Sequence, residues 1–277
     1  MSRRTALLML PAFAMLAVVF IAPLVMFLVQ TLILDQDAPP LWPHILSVIN
    51  SHVLLQTILT TNWISLLVTA TVLLLGYPVA YYLANRGGPR FTLVLFCIIV
   101  PYFTSIIVRT FSWMVLLGRT GLINQFLQGI GLTEAPLPLL YNKTAVVIGM
   151  TYVLLPYMVL TLFAAMRSID HNLLRAARGM GASGPMIFTR IYFPLSLHGV
   201  VSGALIVFIL SIGFFITPAL MGGPSDVMVA MLIERSVEIN LDWSTAAIMS
   251  LYLLAVTLVL YALYYRVTDL QRLMGGA

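Results

Sequence analysis

The sequence predicts an all-helical integral membrane protein with six transmembrane helices, and three observations support this. Only 8% of the 277 residues are charged, whereas a soluble domain carries about 25%. Hydrophobic residues make up 61% of the chain, more than a soluble fold of this length can bury. Six apolar runs are long enough to cross the roughly 30 Å hydrocarbon core of a bilayer. Lipid is therefore predicted to be the solvent for most of the chain.

The predicted spans are separated by segments that contain charges or Gly and Pro clusters. They cover residues 6–34, 54–84, 91–117, 144–166, 195–220 and 244–265. The first run follows Arg3 and Arg4, as in a secretory signal peptide, but it is far longer than the apolar core of such a peptide, about 7–15 residues. We therefore predict an uncleaved first span and one transmembrane domain over residues 1–277.

The distribution of charge predicts the orientation of the spans. Basic residues concentrate in cytoplasmic loops, and with a cytoplasmic N-terminus ten of the 14 basic residues lie inside. These ten are Arg3, Arg4, Arg86, Arg90, Arg167, Arg175, Arg178, Arg190, Arg266 and Arg272. The other four are Arg109, Arg119, Lys143 and Arg235. Both termini are therefore predicted to be cytoplasmic.

Three outer segments, residues 35–53, 118–143 and 221–243, are longer than ordinary turns between antiparallel helices. One interpretation is that they dock a partner or plug a pore. The other is that they form short interfacial helices with Trp42, Tyr141 and Trp243 as an aromatic belt. The two interpretations are compatible.

Several kinds of chemistry have no sequence signal here. The chain has no Gly-x4-Gly-Lys-Ser/Thr loop to hold ATP phosphates, and its four histidines are scattered. Its single cysteine, Cys97, offers neither a disulfide framework nor a cysteine metal site. No basic run is longer than two residues, so no nucleic-acid partner is predicted. We expect no catalytic residue, metal site or cofactor in this chain.

The longest polar segment on the predicted cytoplasmic side, residues 167–194, is predicted to fold as helix, break and helix. Asp170 or Asn172 is a suitable cap for a first helix that ends near Met180. An apolar face at helical spacing is formed by Leu173, Leu174, Ala176, Ala177 and Met180. Gly181 supplies the break, and Ser183 with Pro185 begins a second short helix before the stretch up to Pro194 returns to the membrane.

This segment resembles the cytoplasmic loop of permease subunits of bacterial ABC importers. That loop has the form Glu-Ala-Ala, three residues, Gly, nine residues, Ile-x-Leu-Pro. The matching positions here are Arg175-Ala176-Ala177, Gly181 and Ile191-Tyr192-Phe193-Pro194, and both intervals agree in length. Arg175 stands in place of Glu, which reverses a charge, and Phe193 in place of Leu.

The resemblance implies a type I ABC importer permease fold in which this loop forms coupling helices that contact an ATPase subunit. The residues implied to couple are Arg175, Ala176, Ala177, Arg178, Gly181, Ala182, Ser183 and Pro194. The alternative is an amphipathic helix lying on anionic lipid.

The implied partners are a second homologous permease, two ATPase subunits that hold ATP and magnesium, a periplasmic solute-binding protein and the bilayer of the bacterial inner membrane. An Arg at position 175 requires an acidic or neutral group on the ATPase, unless Arg178 is the more important contact.

Other segments look like the polyamine branch of these permeases, which moves putrescine and spermidine. They are residues 76–84, 101–113, 117–124 and 152–158. Relatives that move opines, aminophosphonates, iron or thiamine look similar, so these solutes stay alternatives. An ion-coupled secondary transporter or channel is the rival from another class, although no acidic residue for a proton relay lies clearly mid-membrane. A membrane enzyme is a more distant alternative.

Polar and aromatic residues within the spans are the candidates for a substrate path, because such groups are costly in lipid. They are Tyr102, Thr104, Ser105, Arg109, Tyr152, Tyr157, Ser211, Phe214 and Phe215. Aromatic faces attract ammonium groups, but for each of these residues other than Arg109 ordinary helix packing is the alternative explanation. Arg109 either organises a gate or receptor contact, or extends its charge to the lipid head groups.

Overall fold

The computed structural model describes residue 11, residues 14–34 and residues 40–274, and these form helices and connecting segments. Arg3, Arg4 and the beginning of the predicted first span lie outside the described residues. The helices are α1 (Ala14–Leu32), α2 (Leu41–Ile49), α3 (His52–Asn85), α4 (Pro89–Phe103), α5 (Ile106–Leu117), α6 (Leu122–Gly129), α7 (Lys143–Arg167), α8 (His171–Gly179), α9 (Gly184–Ile212), α10 (Ile216–Met221), α11 (Val229–Glu238) and α12 (Trp243–Met274).

Six helical segments among the described residues are long and apolar enough to cross a membrane, which confirms the predicted number. They are Ala14–Leu32, His52–Asn85, Ile106–Gly129, Lys143–Arg167, Gly184–Ile212 and Trp243–Ala262. The described residues form two compact units. One is made of those up to Leu55 with Leu232–Leu254, the other of Gln56–Met231 with those from Ala255 onward.

The core of the second unit is built around α7. More than half of the residues in the most apolar stretch of this helix are buried. Its buried side chains include Met150, Leu154, Met158 and Leu162, and they pack with Val68 and other residues of α3. Apolar side chains of this kind need no polar partner, so the core tolerates the low dielectric of the membrane interior. The unit therefore has one helix, α7, in a central position.

Close approach of α7 and α9 depends on two glycines one helical turn apart. A Cβ atom on Gly199 would lie 2.4 Å from the Cβ atom of Ala165, and one on Gly203 would lie 2.7 Å from the sulfur of Met158. Small residues at this spacing allow helix backbones to approach closely in membranes, where packing rather than hydrophobicity holds helices together.

The predicted third span, residues 91–117, is interrupted in the structure. Helix α4 ends in a 3₁₀ turn at Val100–Phe103, and α5 begins at Ile106. Between them Thr104 and Ser105 have ψ values of 147° and 139°, which are extended conformations. Pro101 lacks the backbone N–H of a regular helix, which accounts for the tightened last turn. The second half of the predicted span is thus a separate helix.

The predicted fifth span, residues 195–220, also has different limits. Helix α9 begins at Gly184, and the expected second short helix of the polar segment is its first turn rather than a separate element. A π-helical turn at Phe188–Tyr192 precedes Pro194, and such a turn accommodates the hydrogen bond that proline cannot donate. The span ends at Ile212, and residues 216–221 form α10.

Each of the three segments predicted to lie outside contains a short helix, α2, α6 or α11. Helix α6 is also the second part of the apolar segment Ile106–Gly129, so the third candidate span extends further along the chain than predicted. Residues 35–39 of the first segment lie outside the described residues. In the second segment the buried Asn124 donates hydrogen bonds to the carbonyls of Gly118 and Leu137, both at 3.0 Å, and accepts one from the Leu137 amide at 2.8 Å. One side chain therefore holds the two ends of this segment together.

We expect Asn124→Ala to destabilise the full chain by about 2–3 kcal/mol, because it removes all three hydrogen bonds of a buried side chain, at about 1 kcal/mol each. The measurement is the unfolding midpoint in detergent. Gln125→Ala is the control, since Gln125 is exposed and makes a single bond to the carbonyl of Thr120; its effect should stay within about 0.5 kcal/mol. Equal effects of the two variants would contradict this role of Asn124.

Within the first unit, Asp242 caps the beginning of α12. Its Oδ1 atom accepts hydrogen bonds from the Thr245 amide at 3.0 Å and the Ser244 hydroxyl at 2.9 Å. The Ser244 hydroxyl also lies 3.2 Å from Nε2 of His44 on α2. Partial burial raises the pKa of Asp242, but the hydrogen bonds from Thr245 and Ser244 and the neighbouring His44 outweigh it, so the pKa lies below its ordinary value of 3.8.

A carboxylate with a lowered pKa stabilises the fold above its unfolded-state pKa, and this contribution is lost as the pH falls through the folded-state pKa. We therefore expect Asp242 to contribute fully above pH 3.8 and to lose its contribution in more acidic solution. Asp242→Asn is the matched control, because Asn also caps helices but does not titrate. Unfolding midpoints recorded between about pH 5 and about pH 3 should fall more steeply for the native chain. Parallel curves would contradict the expectation.

Candidate coupling loop and translocation path

The polar segment, residues 167–194, has the predicted first helix, α8, and the predicted break, and it then continues as the first turns of α9. Oδ1 of Asp170 accepts a hydrogen bond from the Asn172 amide at 2.8 Å and caps α8. At the other end of α8, the amide of Gly181 donates a hydrogen bond to the carbonyl of Arg178, and the amide of Ala182 donates one to the carbonyl of Ala177, each at 3.0 Å. This pair of bonds is a Schellman motif, which requires the left-handed φ of +86° found at Gly181.

Beyond the break, Ser183 occupies the N-cap position of α9 with Pro185 in the first turn, although the Ser183 side chain makes no capping bond. The two helices of the segment are therefore joined by only four residues, 180–183. Because a short link with a fixed hydrogen-bond pattern has little freedom, α8 is positioned rigidly with respect to α9.

The predicted apolar face of α8 is divided between two surfaces. Leu174 and Ala177 are 6% and 3% exposed and belong to the core of the second unit, with Ile187 and Tyr192 of α9. Leu173 and Met180 are 51% and 83% exposed, and Ala176 is exposed beside them. With 3.6 residues per turn, Leu173, Ala176 and Met180 lie on one flank of the helix at i, i+3 and i+7. This outer apolar flank has no partner within the described chain.

The remaining coupling candidates lie on α8 and the link, apart from Pro194, which lies in α9. Arg175 and Arg178 are exposed on the flank opposite to Leu173, whereas Ala182 is half-buried against the core. Gly181, Ser183 and Pro194 are exposed. The structure thus places all of the candidates except Pro194 on α8 and the link that follows it, with Ala177 and Ala182 facing inward and the others facing outward.

An aromatic cluster links this loop to the end of α3, and sequence reasoning did not identify it. The rings of Tyr81 and Phe188 meet edge to face at 5.5 Å, and those of Tyr81 and Tyr192 at 4.9 Å. The Tyr192 hydroxyl accepts a hydrogen bond from Nδ2 of Asn85 at 2.8 Å. The hydroxyls of Tyr77 and Ser196 lie 2.9 Å apart. Packed rings and hydrogen bonds therefore connect the loop to both α3 and α9.

Three of the substrate-path candidates meet near the break between α4 and α5. The Tyr102 hydroxyl donates a hydrogen bond to the Tyr157 hydroxyl at 2.8 Å, and the two rings are 5.4 Å apart. Arg109, in the first turn of α5, is an electrostatic neighbour of Tyr157. In the described structure Nε of Arg109 is buried and has no hydrogen-bond partner. Thr104 bonds to the carbonyl of Pro101 at 2.7 Å.

The other path candidates lie in different surroundings. The exposed Ser105 precedes α5 in the N-cap position. Tyr152 packs edge to face on Trp113 at 5.7 Å. Ser211 is fully buried, Phe214 is half-buried against the core, and Phe215 is exposed. Arg109, Tyr102 and Tyr157 therefore form the convergent part of the predicted set.

A second contact that the sequence did not predict joins α5 to α10, the helices that follow the ends of α4 and α9. The hydroxyls of Thr110 on α5 and Thr217 on α10 are 3.1 Å apart and buried. A Cβ atom on Gly149 of α7 would lie 2.6 Å from Cγ2 of Thr217. Hydroxyl residues at helical spacing carry no sequence signal for a partner so distant in the chain, so only the structure shows that α5 and α10 pack together.

Six apolar helices long enough to cross a bilayer define a multi-pass membrane protein. Residues 73–272 match the family described as binding-protein-dependent transport system inner membrane component, and the chain belongs to that family. It is thus an inner-membrane permease component of an ABC importer.

Two curated relatives and one solved structure illustrate the similarity. The spermidine/putrescine transport system permease protein PotB of Salmonella typhimurium strain LT2 is 34% identical over 206 residues, which are 74% of this chain and 72% of that protein. The molybdenum transport system permease protein ModB of Mycobacterium bovis is 31% identical over 251 residues, 89% of this chain and 88% of that protein. A bacterial ABC transporter that imports the acidic polysaccharide alginate shares the fold, with a TM-score of 0.71 at 18% identity over 96% of this chain and 94% of that chain.

Proposed function

We propose that this permease and a second, homologous permease form the path by which a polyamine, putrescine or spermidine, crosses the inner membrane. A periplasmic solute-binding protein delivers the solute, and two separate ATPase subunits bind ATP with magnesium and hydrolyse it. The similarity to PotB over three quarters of the chain carries this proposal.

The chemistry of the path candidates is compatible with an organic cation. No acidic residue lies within the six spanning segments, so attraction for ammonium groups must come from neutral side chains or from partner subunits. The faces of Tyr102 and Tyr157, and of Tyr152 with Trp113, supply cation–π attraction of about 0.5–2 kcal/mol each. Acidic groups of the second permease would supply the remaining counter-charge.

The energy of ATP hydrolysis enters through the coupling loop, residues 167–194. The exposed flank of Leu173, Ala176 and Met180 is apolar and small enough in the middle for close contact with another protein. The neighbouring side of α8, between the apolar and the basic flank, is held in the core by Leu174 and Ala177. A push on the flank by an ATPase subunit would therefore move α8 with α3 and α9 as one packed body.

The experiment is uptake of radiolabelled putrescine and spermidine by proteoliposomes that contain the complete complex and the binding protein. ATP-dependent uptake of either polyamine is expected, and uptake without any ATPase subunit would instead support a secondary transporter. A complex that hydrolyses ATP but moves neither polyamine would contradict the assigned solute while leaving the importer mechanism intact.

A second candidate solute is an oxyanion, favoured by Arg109 and by the similarity to ModB over most of the chain. A buried guanidinium nitrogen without a partner is satisfied by an anionic oxygen and repels a polycation. Arg109→Gln should therefore impair oxyanion uptake but not polyamine uptake. Arg119→Gln, which removes an exposed charge from the following segment, is the control, and molybdate is the test anion.

A further inference from the structure

Two neighbouring cavities open where α3 ends and α8 begins. One, of about 530 Å³, is lined by Tyr81, Tyr82, Asn85, Arg86, His171, Leu174, Arg175 and Arg178. The other, of about 470 Å³, is lined by Leu83, Ala84, Asn85, Arg86, Gly87, Phe91, Arg167 and His171. They share Asn85, Arg86 and His171, so together they form one basic pocket.

The basic side of this pocket is one flank of α8. His171, Arg175 and Arg178 follow each other at i, i+4 and i+7, so their side chains lie on the same side of the helix. That side is opposite to the apolar flank of Leu173 and Met180. The division matters because contact of the apolar flank with an ATPase subunit would leave the basic flank facing Arg86 across the pocket.

The electrostatics of the pocket are unbalanced. Four guanidinium groups, those of Arg86, Arg167, Arg175 and Arg178, line it, and no Asp or Glu does. The carboxylate of Asp170, next to His171, already accepts the hydrogen bond that caps α8. Positive charges around a shared cavity make the electrostatic potential inside it positive, and this favours a bound anion. Guanidinium groups are matched to phosphate, with which they form paired hydrogen bonds.

The position of the pocket indicates where such a phosphate comes from. It lies at the end of the spanning helix α3, on the side that the charge distribution places in the cytoplasm. Tyrosines such as Tyr81 and Tyr82 are typical of the membrane–water interface. Helix α4, whose Phe91 lines the pocket, exposes Leu93 and Phe96 on its opposite side, as expected of a helix that contacts lipid. Basic pockets at the cytoplasmic ends of membrane helices bind anionic head groups.

We propose that this pocket binds the phosphate of an anionic phospholipid from the cytoplasmic leaflet, and that the charge at position 175 serves this site. The Arg that replaces the family's Glu is then explained without a changed ATPase. A bound head group bridges α3 and α8, and it therefore stabilises the position of the coupling loop.

The test uses the full chain in detergent without any ATPase subunit, so its result does not depend on the proposed transport function. Dioleoyl phosphatidylglycerol should raise the unfolding midpoint more than dioleoyl phosphatidylcholine does. The double variant Arg175→Gln, Arg178→Gln should lose at least half of that difference. The matched control Arg90→Gln, Arg190→Gln removes the same charge from cytoplasmic positions outside the pocket and should keep it.

Other outcomes would overturn the proposal. An equal loss in both double variants would indicate attraction to the whole basic surface. A shift reproduced by inorganic phosphate at the same phosphate concentration would indicate a site for a free ion. A shift that is absent until the ATPase is added would indicate that the arginines pair with acidic groups of that subunit. If the double variant does not fold, Arg86→Gln, directly after α3, tests the same site, and it should also reduce the stabilisation by dioleoyl phosphatidylglycerol.

Discussion

Glutamate in place of both Leu173 and Met180 should reduce ATP-driven uptake by more than about tenfold while the chain stays folded. Both side chains are largely exposed, so the substitution buries no charge within the chain. The few residues that dominate an interface contribute about 2 kcal/mol or more each, and a carboxylate at such a position would be desolvated without a partner. The expected result is loss of ATPase binding and therefore of uptake.

The measurement is co-purification of the ATPase subunits together with uptake in proteoliposomes. Leu173→Met with Met180→Leu is the matched control, because it keeps both positions apolar and of similar volume. Ala177→Asp with Gly181→Asp is a poorer test of coupling. Ala177 is buried in the core, and the φ of Gly181 is left-handed, so that variant would disturb the fold itself. Normal uptake by the glutamate variant would show that the ATPase contacts another surface.

Local chemistry explains why the coupling loop was predictable from sequence. The cap at Asp170, the end of α8 at Gly181 and the beginning of α9 after Ser183 each depend on residues a few positions apart. All three features are present in the structure. The break between α4 and α5 was not predicted, because a hydropathy sum over residues 91–117 is insensitive to two extended residues. Pro101 was the available signal, but prolines are also tolerated within membrane helices.

Contacts between distant residues could not be obtained from sequence. The ring contacts of Tyr81 with Phe188 and Tyr192 join positions more than a hundred residues apart, and nothing in either segment identifies the other. The division of α8 into buried, basic and apolar surfaces has the same origin. Helical spacing predicts which residues share a side, but only the packing of Leu174 and Ala177 against the core determines which side is left for a partner.

The second large effect is expected at the interface of α7 and α9. A Cβ atom at position 199 would overlap the Cβ atom of Ala165, which is fixed to the backbone and cannot rotate away. Gly199→Ala should therefore force the helices apart and destabilise the full chain by about 1–3 kcal/mol, the usual cost of overpacking. Unfolding midpoints in detergent measure this. Gly184→Ala, in the first turn of the same helix, is the control, because a Cβ atom there meets nothing within 4 Å.

The same interface provides a rescue that a general effect of alanine would not produce. Gly199→Ala combined with Ala165→Gly moves the one methyl group from α7 to α9, so the double variant should recover most of the lost stability. Gly203→Ala should cost less than Gly199→Ala, because the atom it approaches is the sulfur of a flexible methionine side chain, Met158. If the double variant were no more stable than Gly199→Ala alone, overlap with the Ala165 methyl group could not be the cause of the destabilisation.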